Sequence, residues 1–295
     1  MTQIPLGLKN TALAFDWKKW IGILPFILFA ALFLFLPSLQ LLAGSFSTPD
    51  GNFTFANIIQ LFKEKFILDA YWLSIRISAA TALGGGFWFL LAYAVTAGGL
   101  PKSIRTALIT FSGVASNFAG VPLAFAFIAT LGRTGFVTAL IETLFGVNIY
   151  KDTSFSLYGF AGLSFTYLYF QFPLMVLIMA PALDGLKREW REAAENLGAS
   201  TLQYWLRVAF PILLPSILGS MILLFGNAFG AYATAYALTG GRLGIITIQI
   251  GAQIRGDVLH NPELGYAMAM GMVVVMGVSL AGYSWLQHKS ERWLR

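Results

Sequence analysis

Cysteine is absent from the 295 residues, and histidine occurs only as His260 and His288. The first absence removes disulfides, thiolate nucleophiles and thiolate metal sites together. Charge is scarce as well. Asp, Glu, Lys and Arg make up 11% of the chain, against roughly 25% in an ordinary soluble domain. With 57% of residues hydrophobic, too few polar groups remain to wet a soluble surface, and the composition is that of a polytopic membrane protein. No apolar stretch carries a central Asp, Glu, Lys or Arg. Membrane enzymes and proton-coupled carriers place titratable groups at that depth, so neither chemistry is indicated. Gly84-Gly85-Gly86 has no Gly-Lys-Ser/Thr beside it and so is no phosphate loop; its glycines suit close helix–helix approach. No catalytic residue and no metal ligand set is assigned.

Long apolar runs take the place of charge. Behind a basic flank (Lys9, Lys18, Lys19), Trp20–Gly44 runs 25 residues without a charge, about 37 Å of helix. That exceeds both the bilayer core of about 30 Å and the short apolar region of a cleaved signal. It is read as a retained first helix. Tyr71–Ala97, with Arg76 snorkelling near one end, and the charge-free Thr106–Leu131, Thr153–Leu183 and Leu264–Gln287 are four further spans. Val208–Gly241 has 34 uncharged residues, about 51 Å if straight, so part of it must bend or re-enter. Leu243–Ile254 is too short to cross and reads as a re-entrant or interfacial piece. The expected fold is all-α, with about six transmembrane helices.

Six spans put the N-terminus, the 98–105 loop, the 184–207 loop and the C-terminal tail on one side, with 12 of the 19 basic residues. The other side has seven basic and seven acidic residues, so the whole +6 excess lies on the first. That side is the expected cytoplasmic one. The basic pI follows from membrane orientation and does not call for nucleic acid.

The most charged segment is Asp184–Arg207, between the fourth and fifth spans. It reads as two short helices. Leu186, Trp190, Ala193, Ala194 and Leu197 fall on one apolar stripe of the first. Gly198 is placed to end that helix in the left-handed conformation, and Ser200 with Gln203 forms a capping-box pattern for the second. Pro211 and Pro215 set a bent entry to the fifth span.

Glu192-Ala193-Ala194, three residues, Gly198, nine residues and Val208-x-Phe210-Pro211 resembles the EAA signature of permease subunits of binding-protein-dependent type I ABC importers, the MetI-like superfamily. Val208 and Phe210 stand where that pattern has Ile and Leu. The resemblance covers about Tyr71 to Gln287, and Ala231–Met272, with Leu238-Thr239-Gly240-Gly241 and Asn261-Pro262, looks most like the polyamine, opine and phosphonate branch. It implies three regions: 1–69, an N-terminal segment with the first helix and an outer loop; 70–287, the permease domain; and 288–295, a cytoplasmic tail. It also implies an elbow that docks on a separate ATPase through Trp190, Glu192, Ala193, Ala194, Gly198, Val208, Phe210 and Pro211. The implied partners are two ATPase subunits, a second and different permease chain, an extracytoplasmic solute-binding protein and the bilayer. ATP and magnesium are used by the ATPase, and this chain binds no cofactor and is no enzyme. The expected location is a bacterial inner membrane, with both termini cytoplasmic.

Polar and aromatic side chains inside the spans are the candidates for lining a pathway: Asn117, Tyr167, Tyr169, Gln171, Asn227, Tyr232 and Tyr236. Aromatic faces suit the ammonium groups of spermidine, putrescine or 2-aminoethylphosphonate, with Asp257 and Glu263 as outer attractants. Pro122, Pro173 and Pro181 are expected to kink their helices. Thiamine, sulfate, molybdate and ferric iron are alternative substrates within the same superfamily. A stand-alone secondary transporter or channel would call for intramembrane charges or inverted repeats.

Overall fold

The computed structural model describes residues 22–256 and 260–291. Lys9, Asp16, Lys18, Lys19, Asp257, Arg292 and Arg295 lie outside the described residues, as does the start of the first run at Trp20. Among the described residues the regular structure is helical. The helices are α1 (Leu24–Ser45), α2 (Ala56–Lys63), α3 (Lys65–Ala97), α4 (Lys102–Asn117), α5 (Gly120–Leu131), α6 (Phe136–Phe145) and α7 (Ile149–Asp152). The second half holds α8 (Phe160–Asp184), α9 (Arg188–Asn196), α10 (Thr201–Gly230), α11 (Ala233–Thr239), α12 (Ile246–Arg255) and α13 (Pro262–Glu291). Six stretches are long and apolar enough to cross a membrane: α1, most of α3, Gly120–Phe145, α8, α10 and most of α13.

The bundle is built on α3 and α8, with α10 closing over both. Between apolar helices in lipid, close packing and interhelical hydrogen bonds replace the hydrophobic drive, and both are visible here. A methyl group added at Gly84 would come within 2.7 Å of Leu168 of α8, and one at Gly85 within 2.8 Å of Leu224 of α10. Ser74, Ser78 and Thr81 recur at helical spacing along α3 and are all buried. Ser74 Oγ accepts the Ile246 N–H at 2.8 Å, fixing the start of α12. Helix α1 is peripheral and almost fully exposed, held chiefly against α13. At the elbow end, Arg105 of α4 makes a double hydrogen bond to Asp184 of α8, at 2.6 and 2.7 Å.

Several boundaries differ from the sequence reading. The third span was expected as one helix over Thr106–Leu131, but it breaks at Phe118–Ala119. Ala119 is extended and Gly120 has φ +73°, and the membrane-length apolar stretch begins only there. Pro122 sits in the first turn of α5, where an absent N–H costs nothing, so it does not kink a helix. Pro173 and Pro181 do lie inside α8. The second elbow helix is not separate. It starts at Thr201 and continues through a π-helical turn, Trp205–Ala209, into the fifth span. That turn ends just before Pro211, which has no N–H to offer the Arg207 carbonyl. The fifth span then stops at Gly230 and resumes as α11, the bend its length demanded. Leu243–Ile254 contains α12, about 15 Å long, packed on α13 and α3 with Ile246, Thr247, Ile248 and Gln253 buried.

Candidate functional site

Two features stand apart from ordinary span packing, and α10 joins them. The first is the elbow. Helix α9 ends in a Schellman motif: the Ala199 N–H donates to Ala194 O and the Gly198 N–H to Glu195 O, both at 2.9 Å, with Gly198 at φ +80°. Two residues later Ser200 and Gln203 cap α10 reciprocally, Gln203 N–H to Ser200 Oγ at 3.3 Å and Ser200 N–H to Gln203 Oε1 at 2.8 Å. The reversal therefore has no slack. Arg188–Glu192 and Arg191–Glu195 pair along the outside of α9 at 2.8 and 2.9 Å. The hydrogen bond and charge of Glu195 push the Arg191 guanidinium further up from its already high pKa, so the guanidinium stays charged.

The elbow has a small core of its own. Ala194, Tyr204 and Ala209 are buried against Leu186, Trp190, Ala199, Trp205 and Val208. The Trp205 ring meets Tyr93, near the end of α3, edge-on at 4.6 Å. The predicted stripe thus divides. Ala194 is buried and Trp190 packs inward beneath Lys187, whose Nζ lies 5.8 Å from the ring centre. Leu197 instead points outward at 88% exposure, because the left-handed turn at Gly198 carries the chain away before that side chain can fold in. Glu192, Ala193, Leu202 and Leu206 also face outward, and Phe210 is partly exposed.

The second feature lies at the far end of α10. The break between α4 and α5 and the break between α10 and α11 face each other. The Gly120 N–H donates to Thr234 Oγ1 at 2.8 Å, and the Tyr167 hydroxyl donates to the Ala231 carbonyl at 2.7 Å. Around them opens a cavity of about 400 Å³, lined by Ser116, Phe170, Asn227, Tyr232 and Thr234 and by the backbone of Gly230 and Ala231. A broken helix leaves terminal N–H and C=O groups unpaired. In a membrane such backbone is tolerated where it is buried in protein or lines a cavity. Here part of it is tied and part lines the opening.

The seven pathway candidates sort by position. Asn227 and Tyr232 line this cavity. Tyr236 is half exposed and stacks on Tyr232, ring centres 5.4 Å apart. Asn117 is exposed at the rim of the first break, its side-chain amide donating to Gly113 O at 2.8 Å. Tyr169 belongs to an aromatic pocket with Phe127 and Trp88, and Phe118 meets its ring edge-on. Tyr167 and Gln171 are buried braces and not lining residues. Gln171 Nε2 donates to Thr81 Oγ1 at 3.1 Å and to Leu224 O at 3.2 Å. Ser74, Thr81, Ser116 and Thr234 were missed. The 74/78/81 spacing of small hydroxyls in an apolar run was the available signal for the α3 pair; Thr234 had none short of the fold.

Residues 150–295 match the family described as binding-protein-dependent transport system inner membrane component. Over that stretch, just under half of the chain, the sequence is similar to this family. Among its relatives, the ferric transport system permease protein FbpB of Actinobacillus pleuropneumoniae is 28% identical over 160 residues, 54% of this chain and 23% of that one. The chain thus spans about a quarter of the length of the ferric permeases it matches. The spermidine/putrescine transport system permease protein PotB of Escherichia coli is 23% identical over 265 residues, 85% of this chain and 91% of that one. A solved bacterial ABC transporter involved in importing the acidic polysaccharide alginate shares the fold, with TM-score 0.70 and 18% identity over 94% of this chain and 96% of that one. Six helices of membrane-crossing length among the described residues, together with this match, indicate a multi-pass inner-membrane protein.

Proposed function

We propose that this chain is the transmembrane subunit of an ATP-driven importer and forms half of a pathway for a small solute delivered by a separate binding protein. The observation carrying the proposal is the continuity of α10. One helix of 30 residues, about 45 Å, begins at the capped elbow and ends at the wall of the polar cavity. A displacement of the elbow is delivered to Asn227 and Tyr232 as a rigid-body movement. In this reading the elbow and both termini are cytoplasmic, as the Lys/Arg excess requires, and the permease domain is residues 70–287. Two partner ATPases burn ATP with magnesium, a second permease completes the pathway, and this chain catalyses no reaction. The near full-length match to PotB, against a partial match to FbpB, favours a polyamine or a related amine as substrate. The Tyr232–Tyr236 stack offers such a cation an aromatic face.

The ATPase-facing surface comprises Glu192, Ala193 and Leu197, with Leu202 and Leu206 beside them. Trp190, Ala194 and Val208 keep the lever stiff from within, and Gly198, Phe210 and Pro211 set its shape. Glu192→Lys separates these roles. It removes an exposed i,i+4 pair worth about 0.3–0.5 kcal/mol, so the melting temperature of the variant should stay near that of the parent. ATP-driven uptake should nevertheless fall at least tenfold, because a basic groove on the ATPase would meet a like charge. Unchanged uptake would remove Glu192 from the contact. The proposal as a whole is tested in vesicles holding this chain, a second permease, the ATPase and the binding protein. Uptake should require ATP and all four components; uptake by this chain alone would overturn it.

A further inference from the structure

The segment joining α1 to α3 carries a pattern that the importer reading does not use. Ser47 and Phe53 form an antiparallel bridge, with the Thr54 N–H donating to Phe46 O at 2.8 Å, so residues 46–54 close as a tight hairpin. Three rings gather on it: Phe46, Phe53 and Phe55 have centres 5.0–6.0 Å apart. The Asn57 side-chain amide ties the hairpin to α2 by donating to Ser47 O at 2.9 Å and Ser45 O at 3.3 Å. Phe55 caps α2, and Ile59 and Phe62 follow at spacings of four and three on one face of that helix; Phe66 stands past the break at Glu64, in the first turn of α3. These side chains are open, with Phe62 74% exposed and Phe53, on the hairpin, 72% exposed. The opposite face buries Asn57 and Leu61 against α3 and α13.

We infer that residues 46–66 are an interfacial anchor, seating this aromatic stripe among the acyl chains of the lipid leaflet on the side opposite the elbow. Three observations select lipid as the occupant. The chain leaves one membrane-length helix at Ser45 and enters the next at Lys65, which pins the stripe at the bilayer surface. An apolar groove of about 320 Å³ runs on from Phe62 between α3 and α13, lined by Leu68, Tyr71, Ile75 and Val274, the shape and chemistry of an acyl-chain berth. Lys63 and Lys65 are exposed on either side of Glu64, where snorkelling amines meet lipid phosphates. Aromatic rings on an amphipathic helix with flanking lysines are the composition of interfacial anchors. This inference stands whether or not the chain is an importer.

The absence of cysteine makes the test direct. Single variants Asp50→Cys, Phe53→Cys, Ile59→Cys and Phe62→Cys of the full chain are spin-labelled and reconstituted into vesicles of phosphatidylethanolamine and phosphatidylglycerol. Collision rates with oxygen, which enriches in the acyl layer, and with a water-soluble nickel chelate are then compared. The expected oxygen-to-nickel ratio at 59 and 62 is several-fold higher than at Asp50, with 53 intermediate. Nickel-dominated collisions at 59 and 62 would place the stripe in water and overturn the inference. Low collision rates with both reagents would mean that protein covers the face, and would overturn it equally. Agreement between the Ile59 and Phe62 labels guards against a local disturbance by either substitution.

Discussion

Gly198→Val will abolish most ATP-driven uptake, by tenfold or more, while ATP hydrolysis by the assembled transporter continues. The cost is conformational. A Cβ at this position would meet nothing within 4 Å, so space is not at issue. But φ is +80°, and for a β-branched residue the left-handed region is a genuine outlier, costing about 1–2 kcal/mol. The valine chain relieves this by turning to negative φ, which breaks the bonds from Ala199 N–H to Ala194 O and from Gly198 N–H to Glu195 O. With Ser200 already capping the next helix, no neighbouring residue can absorb the rotation, and α9 swings relative to α10. Substitutions should follow backbone tolerance, Asn least harmful, then Ala, then Val. The measurement is uptake and phosphate release from the same vesicles. Full uptake by the valine variant, or a series ordered by side-chain volume instead, would show that the turn geometry does not transmit force.

The contrast between Gly198 and Leu197 shows how much of this site is written locally. Gly198, Ser200 and Gln203 act within their own turn, so their spacing was enough to place the left-handed residue and the capping box. Leu197 shared the apolar stripe by periodicity, yet its burial depended on which way the chain leaves the turn, and it emerged outside. Five of the six membrane-length stretches were legible for a related reason: a run of 24 or more residues with at most one charge near its end has few alternatives in a bilayer. The third, Gly120–Phe145, instead carries Arg133 and Glu142 and begins 14 residues later than expected. What the runs did not disclose was the break at Phe118–Ala119. Its stabiliser, Thr234, lies 114 residues away, and the local break signals Asn117, Gly120 and Pro122 sit inside a charge-free run that reads as one span. Likewise Tyr167 and Gln171 looked like pathway residues because polar groups in spans often line cavities. Only the packing of α3, α8 and α10 assigns them to bracing.

That bracing leads to the second large effect, at the junction of the two breaks. Tyr167→Phe keeps the ring and removes one hydroxyl, leaving the Ala231 carbonyl without its donor. Thr234→Val is close to isosteric and leaves the Gly120 N–H without its acceptor. An orphaned buried polar group costs about 1–3 kcal/mol, although interhelical hydrogen bonds measured in membranes average nearer 0.6 kcal/mol. Each single variant should therefore lower the melting temperature in detergent by about 1–12 °C, taking about 2–4 °C per kcal/mol. Because both bonds hold the same break, the two losses should not add. Once either tie is gone the break can relax, so the double variant should fall short of the summed shift. Uptake supplies a second readout. A relaxed break displaces Tyr232 and Asn227 from the cavity wall, raising the substrate concentration needed for half-maximal uptake more than it lowers the maximal rate. A double variant melting within a degree of the parent and taking up substrate normally would mean that the two breaks are not held by these ties, and that the cavity between them is not shaped by the junction.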